Sequence, residues 1–343
     1  MATMTIPQIA IIGTEGSGKT VLATVWAKML SDSVGDVFLL PKGMQTAMYV
    51  EKAWNTLYKV GEWLPSTPPG QQFELQWDLH IKGQRCAVEL IDVAGQDLRK
   101  LFYYDRYKTS GLSEHEIGII NYLQTSTVIV FVVNLRDFIG ESDYVKKKEN
   151  ELILKEFLDG YAADNKQQHI AIVFTAWDQY GSGINKKYGS FQNYVQKELS
   201  LLYNAAKIAY QSGDVLYFFP VAAVAETEIK TQDGKARRKP KPGFESFGLD
   251  KLNNWLINAV ITSQRTIEAW ETIQRAMEAS QAEKNDYEDT IQLLDDEHEN
   301  TNVIPQKKNA GCLEEGCGCI IIFFAAILIR VVIYFILVLT GNT

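Results

Sequence analysis

Residues 9–30 read "IAIIGTEGSGKTVLATVWAKML", and this stretch decides how the fold is read. Ile9 to Ile12 is a continuous apolar run, the length of a short strand buried on both faces. From Lys19 onward Leu22, Val25, Trp26, Met29 and Leu30 recur at helical spacing. Between the two, Gly13, Thr14, Glu15, Gly16, Ser17, Gly18, Lys19 and Thr20 fit G-x-x-x-x-G-K-[ST] in a strand-to-helix context. Glycines let the backbone curl so that successive N–H groups point inward, and the helix N-terminus adds its partial positive charge. Such a loop is a cradle for phosphate oxygens. Lys19 is expected to reach the outer phosphates, and the Thr20 hydroxyl to ligate Mg²⁺.

The chain has 343 residues, enough for roughly two domains or one large domain with appendages. Its 46% hydrophobic and 22% charged content is that of a globular protein with a sizeable core. A net charge of −8 argues against nucleic acid as a partner. One run is basic, with Lys230, Lys235, Arg237, Arg238, Lys239 and Lys241 among Asp233, Gly234, Pro240 and Pro242; it reads as a solvated, flexible loop, with contact to anionic lipid or RNA as the alternative. Four cysteines make no disulfide framework: Cys86 lies in a strand pattern as a buried thiol, while Cys312, Cys317 and Cys319 crowd together near the end of the chain.

That end differs from the rest. The twenty residues Ile320 to Leu339 carry a single charge, Arg330. Each Ile, Leu, Phe or Val near the centre of a span favours insertion by about 0.3–0.6 kcal/mol, and one arginine opposes it by about 2.5–3.5 kcal/mol, so the apolar residues win. A membrane span over 320–340 is expected. Lys307 and Lys308 precede it and no basic residue follows, which sets the preceding domain on the cytosolic side. No signal peptide is expected from the opening residues, since Met1 to Thr5 lacks basic residues and the apolar run from Ile9 is interrupted by the loop.

Between the loop and the tail the pattern alternates. Gly35 to Gly70 is irregular, with a helical pattern around Val50 to Val60, and ends in "WLPSTPPG". Phe73 to Ile81 and Arg85 to Val93 read as a hairpin about the turn "KGQ". Thr127 to Leu135 and Ile170 to Asp178 lack polar alternation and read as parallel strands covered on both faces. Helices are expected over Tyr144 to Phe157, Tyr188 to Tyr210 and from Leu249 to about Ile261, with a last strand over Val215 to Ala223. The fold class is α/β: a doubly wound, mostly parallel sheet with one hairpin edge and helices on both faces, ligands binding at the carboxyl ends of the strands.

The hairpin ends in "ELIDVAGQD". A carboxylate at the end of a buried strand, following a phosphate loop, holds a nucleotide-bound Mg²⁺ from its second side, which gives Asp92 its role. Gly95 lacks a side chain and lets its N–H approach the terminal phosphate. Gln96 is placed to orient an attacking water.

On these residues the chain resembles the Ras-like GTPases of the translation-factor-related class of P-loop proteins, over about residues 5–262. The matching stretches are Gly13 to Thr20, Thr67 before the hairpin, "DVAGQ" at 92–96, "TAWD" at 175–178 and "VAA" at 221–223. The resemblance implies a Mg²⁺-dependent GTPase. Its switch threonine, which closes on Mg²⁺, corresponds to Thr67, with Ser66 as an alternative. Gly13, Glu15, Gly16, Ser17, Gly18, Lys19, Thr20, Gly95, Thr175, Asp178, Ala222 and Ala223 are the implied nucleotide contacts. Lys19 and Gln96 are the implied catalytic residues, and Thr20, Thr67 and Asp92 the implied metal set. Asp178 would accept from the N1 and N2 donors of guanine. Three positions depart from the family's pattern: Ala176 stands where a lysine stem stacks on the base, "VAA" lacks a serine or cysteine before its alanine, and Glu15 stands where glycine is frequent.

The tail is similar to that of tail-anchored proteins. The expected organisation is a G domain over 5–262, a charged helical stalk over 263–298, a cysteine-bearing linker over 299–319 and the membrane span. In the stalk Ile267, Trp270, Ile273, Met277, Tyr287, Ile291 and Leu294 form a narrow apolar stripe, suited either to self-association or to docking on the G domain. Two functions follow: a membrane-anchored switch that cycles between GTP and GDP and changes protein effector, or a membrane effector whose tail assembles around Arg330 under nucleotide control. A nucleotide-binding scaffold with little hydrolysis is a third.

Overall fold

The computed structural model describes residues 8–32, 36–65, 72–81, 84–93, 95–103, 111–139, 144–162, 168–209, 216–232, 235–263, 272–273, 275–278 and 281. The chain divides into two units, Met1–Gln274 and Arg275–Thr343. In the second, short helical turns at 275–278 and residue 281 are described. No described helix is long and apolar enough to cross a membrane. The expected span over 320–340, the linker and most of the stalk lie outside the described residues.

The first unit is an α/β domain around a seven-stranded sheet in the order β2-β3-β4-β1-β5-β6-β7. The strands are β1 (Ile9–Gly13), β2 (Val37–Pro41), β3 (Gln72–Ile81), β4 (Gln84–Val93), β5 (Val128–Asn134), β6 (His169–Thr175) and β7 (Leu216–Pro220). Four parallel ladders join β4, β1, β5, β6 and β7. β3 pairs antiparallel with both β4 and β2, so the edge of the sheet on that side is β2 and not, as expected, the hairpin. The helices are α1 (Lys19–Ser31), α2 (Met44–Trp54), α3 (Gly95–Tyr103), α4 (Glu114–Thr125), α5 (Tyr144–Glu156), α6 (Trp177–Tyr188), α7 (Phe191–Glu198), α8 (Ser200–Ala209) and α9 (249–263).

Successive strand residues point to opposite faces, so the continuous apolar runs divide into two cores. Ile9, Ile11, Val128, Val130, Val132 and Val173 pack with α1, α2 and α9 on one face. Ala10, Ile12, Ile129, Phe131, Ile172 and Phe174 pack with α3, α4, α5, α7 and α8 on the other. Burying each large apolar side chain contributes about 1.5–3 kcal/mol, and a strand covered on both faces collects that contribution at nearly every position. Phe131, fully buried and tilted against Phe157 at 5.0 Å, is a place where truncation to alanine would cost about 3–5 kcal/mol.

Three expectations are revised. The stretch Tyr188 to Tyr210 is not one helix: Gly189 ends α6, the Ser190 hydroxyl accepts from Asn193 N at 3.1 Å to start α7, and Leu199 ends α7 before α8. The basic run is not a flexible loop. It forms a two-stranded antiparallel ribbon, β8 (Thr227–Gln232) with β9 (Lys235–Pro240). Within it Lys239 is buried and ion-paired with Glu62, which holds the ribbon on the domain. The segment after the first helix contains an edge strand, β2, that its mixed composition did not signal.

Candidate functional site

β1 ends at Gly13, and its register with β5 places that glycine beside Val132. A Cβ at Gly13 would collide with Val132 O and lie 2.9 Å from Ser17 Oγ, so the loop leaves the sheet here only without a side chain. The chain then turns back on itself, Ser17 N donating to Thr14 O at 3.2 Å. It enters α1 through Gly18 in the left-handed region, φ 84° and ψ 17°, where other residues are strained. Leu22 N donates to Gly18 O at 2.9 Å as the first helical bond. Lys19 opens the helix and is buried, and Thr20 follows half-buried. The loop is therefore a strand–turn–helix junction with the helix N-terminus behind it, the geometry that favours an anion.

Neighbouring strands hold the loop in place. The Thr175 hydroxyl, at the end of β6, reaches Ser17 O at 2.7 Å and Val133 O at 3.2 Å. Asn134, at the end of β5, donates from Nδ2 to Gly16 O at 3.2 Å and accepts from Arg136 N at 3.0 Å. Ser17 Oγ is fully buried and has no hydrogen-bond partner among the described residues.

The chain then climbs from Thr175 into α6 through Ala176, the one non-glycine residue with positive φ among the described residues, φ 61° and ψ 30°. Such backbone costs on the order of 1–3 kcal/mol and persists where the surroundings over-determine it. Those surroundings include Trp177, whose N–H donates to Val221 O at 3.3 Å and whose indole packs edge-on against Phe191 at 5.4 Å. Asp178 comes next, in the first turn of α6. Burial pushes its carboxyl above the usual carboxylate range, while the Arg238 charge and the backbone N–H groups of Asp178 and Gln179 oppose that shift.

A cleft of about 480 Å³ joins these parts. The loop glycines Gly16 and Gly18 and the β5 end lie along it, and Thr175, Ala176, Asp178, Ala222 and Ala223 line it. Its volume falls within the roughly 300–1,000 Å³ of small-molecule sites. Ala222 is already committed: its N–H donates to Phe247 O at 3.0 Å, and its carbonyl accepts from Phe247 N at 2.8 Å. The next amides along the cleft belong to Ala223 and Val224, and Ala223 is the donor that matches the expected contact.

The remaining expected residues stand as follows. Asp92 is paired in register with Ile11, two positions before Gly13, which sets it at the carboxyl end of β4 beside the loop's root. Gly95 opens α3 and Gln96 is its second residue. Glu15 is exposed on the loop. Thr67 and its alternative Ser66 lie outside the described residues. A hydroxyl and a carboxylate are hard oxygen donors of the kind Mg²⁺ takes together with phosphate oxygens and waters, so the donor chemistry of Thr20 and Asp92 fits that ion.

The lining residues that were not foreseen include Trp63, Asn134, Arg136 and Arg238. Asn134 and Arg136 had a signal, being polar residues at the carboxyl end of a buried strand. Arg238 had one too, because Asp233-Gly234 separates two six-residue runs and is a strong hairpin dipeptide. Trp63 had none. No protein-family model matches the chain, and no curated protein matches it either, so the reading of this site rests on its residues and geometry.

Proposed function

We propose that this protein binds GTP with Mg²⁺ in the cleft at the carboxyl edge of the sheet, hydrolyses it slowly, and acts as a nucleotide-dependent switch tethered to a membrane by residues 320–340. The observation that carries the proposal is the continuity of one cleft from Gly16 and Gly18 of the loop to Asp178 and Ala223. Its two ends suit the two ends of a nucleoside triphosphate.

At the phosphate end, backbone N–H groups of the loop and the N-terminus of α1 meet the phosphate oxygens, and Lys19 supplies charge to the outer ones. Bound Mg²⁺ neutralises developing charge on the phosphates. Thr20 and Asp92 would hold it, with Thr67 joining from the switch segment. At the base end, the Asp178 carboxylate accepts from N1–H and N2–H, a donor pair that guanine has and adenine lacks. The Ala223 amide donates to O6. Gln96, three positions past the end of β4 and second in α3, would orient the attacking water with its amide, and hydrolysis is slow without a partner's arginine.

Chromatography of the nucleotide released from purified full-length protein tests the binding claim. GDP or GTP is expected from the parent and neither from Lys19→Ala. Recovery of adenine nucleotide alone would overturn the base assignment. For the anchor, protein ending at residue 310 should leave the membrane fraction and still bind GTP, and truncated protein that pellets after a high-salt wash would exclude residues 320–340 as the tether.

A further inference from the structure

From α6 the cleft is lined by Asp178, the edge reader, and Gln179, with no aromatic or basic side chain of that helix among the lining residues to cover the flat face of a purine. Ala176 carries only a methyl group and holds the strained turn. The cleft is closed there from elsewhere, by Arg238 on β9 and Trp63 on the segment after the π-helical turn Asn55–Val60.

The placement of Arg238 is built, not incidental. Trp63 Nε1 donates to Arg238 O at 2.8 Å. The neighbouring Lys239 is buried against Glu62, and Gly243 N, just past the ribbon, donates to Tyr58 O at 2.9 Å. Tyr58 stacks on Trp54 at 4.4 Å and meets Phe244 edge-on at 5.3 Å. The backbone that carries Arg238 is therefore fixed to the main core at three points. Its side chain stays exposed, with Nη1 donating to Thr227 Oγ1 at 3.3 Å. Like Asp178 it lines the cleft, and its charge acts on that carboxyl. The other cleft arginine, Arg136, lies beside the loop, its Nη2 3.7 Å from where a Cβ on Gly16 would be.

We propose that Arg238, carried by the β8–β9 ribbon and fixed there by Trp63, is a base-contacting residue whose guanidinium lies across the face of the purine that Asp178 reads by its edge. This rests on the GTP reading above. A planar guanidinium stacks on aromatic faces and is weakly hydrated, so it covers a base at less desolvation cost than an ammonium. Its charge also opposes the burial that raises the Asp178 carboxyl, which favours the ionised acceptor. The ribbon is thereby a specificity element, and Trp63 a positioning residue for it.

The test compares Mg²⁺-GTP with Mg²⁺-tripolyphosphate, which has no base, in calorimetric titrations of the full-length protein. Arg238→Ala should weaken GTP binding by about 3- to 30-fold and leave tripolyphosphate binding unchanged. Arg238→Lys should fall between, and Trp63→Phe should weaken GTP alone. Equal weakening of both ligands would place Arg238 on the phosphates and overturn the proposal, as would no weakening of either. A parent that binds tripolyphosphate but not GTP would refute both the base contact and the guanine assignment, and a parent that binds neither would remove the phosphate cradle first. Should the variants fail to fold, photolabelling of the parent with 8-azido-GTP decides: label within 235–241 is expected, and label confined to other peptides overturns the assignment.

Discussion

Thr175→Val removes one hydroxyl and keeps the shape of the side chain. That hydroxyl has one proton and two acceptors within reach, Ser17 O at 2.7 Å and Val133 O at 3.2 Å, both in a buried setting. Losing it leaves the loop carbonyl without its close donor, which costs about 1–3 kcal/mol. A methyl in the same place needs about 3.3–3.6 Å from Ser17 O, so the loop must retreat by about 0.6 Å or more. With about 2 kcal/mol lost and about 2–4 °C of Tm per kcal/mol for a unit of this size, the midpoint should fall by about 4–8 °C. Displacing loop amides by that distance should weaken GTP by roughly tenfold. Thermal unfolding and GTP titration of Thr175→Val beside Thr175→Ser read both effects, and the serine variant should restore most of each. Valine and serine variants with the same Tm and affinity would show that the bond between the end of β6 and the loop contributes nothing to either.

Gly13→Ala should abolish nucleotide binding or unfold the protein, because its Cβ meets the backbone of β5, and circular dichroism with GTP titration distinguishes the two; a folded variant with parental affinity would contradict the close approach. Gln96→Leu should bind GTP normally and hydrolyse it at least about tenfold more slowly in single turnover; equal rates would assign the water to another group. For pH, the carboxyl of Asp178 is held above its usual range, and protonation turns one of its two acceptor oxygens into a donor, so GTP affinity should fall as pH drops through that raised value, sooner than for an exposed aspartate. The nucleotide-free fold should respond the other way: between the ordinary and the raised value the folded state binds more protons, so this group's contribution favours folding as pH falls. Asp178→Asn should flatten the affinity profile, and an unchanged profile in that variant would exclude Asp178 as the titrating group.

The parts of this protein that a reader of the sequence can see are those whose pattern is set by burial on two faces. β1, β5 and β6 are uninterrupted apolar runs because helices cover both sides of them, and the β3–β4 hairpin announces itself through its turn. β2 does not, because "VFLLP" is a short edge strand placed by its pairing with β3. α4 was overlooked although Ser113 and Glu116 form a capping box, Ser113 N donating to Glu116 Oε2 at 2.8 Å. α6 contains two glycines and reads as a loop, and it forms because Trp177 anchors its first turn in the core. The loop and Asp178 were legible as local motifs. The hairpin dipeptide signals the ribbon that carries Arg238, but not its meeting with Trp63, because 175 positions separate them and only the fold brings them together.

The central claim is that one cleft takes the phosphates at the Gly13–Thr20 loop and guanine at Asp178. Calorimetric titration of the nucleotide-free, full-length protein with GTP and ATP in the presence of Mg²⁺ tests it most directly, with Lys19→Ala as the control. The account predicts that GTP binds, that ATP binds at least about tenfold more weakly, and that Lys19→Ala binds neither. Equal affinity for the two nucleotides would contradict the role of Asp178, and parental GTP affinity in Lys19→Ala would contradict the phosphate cradle itself.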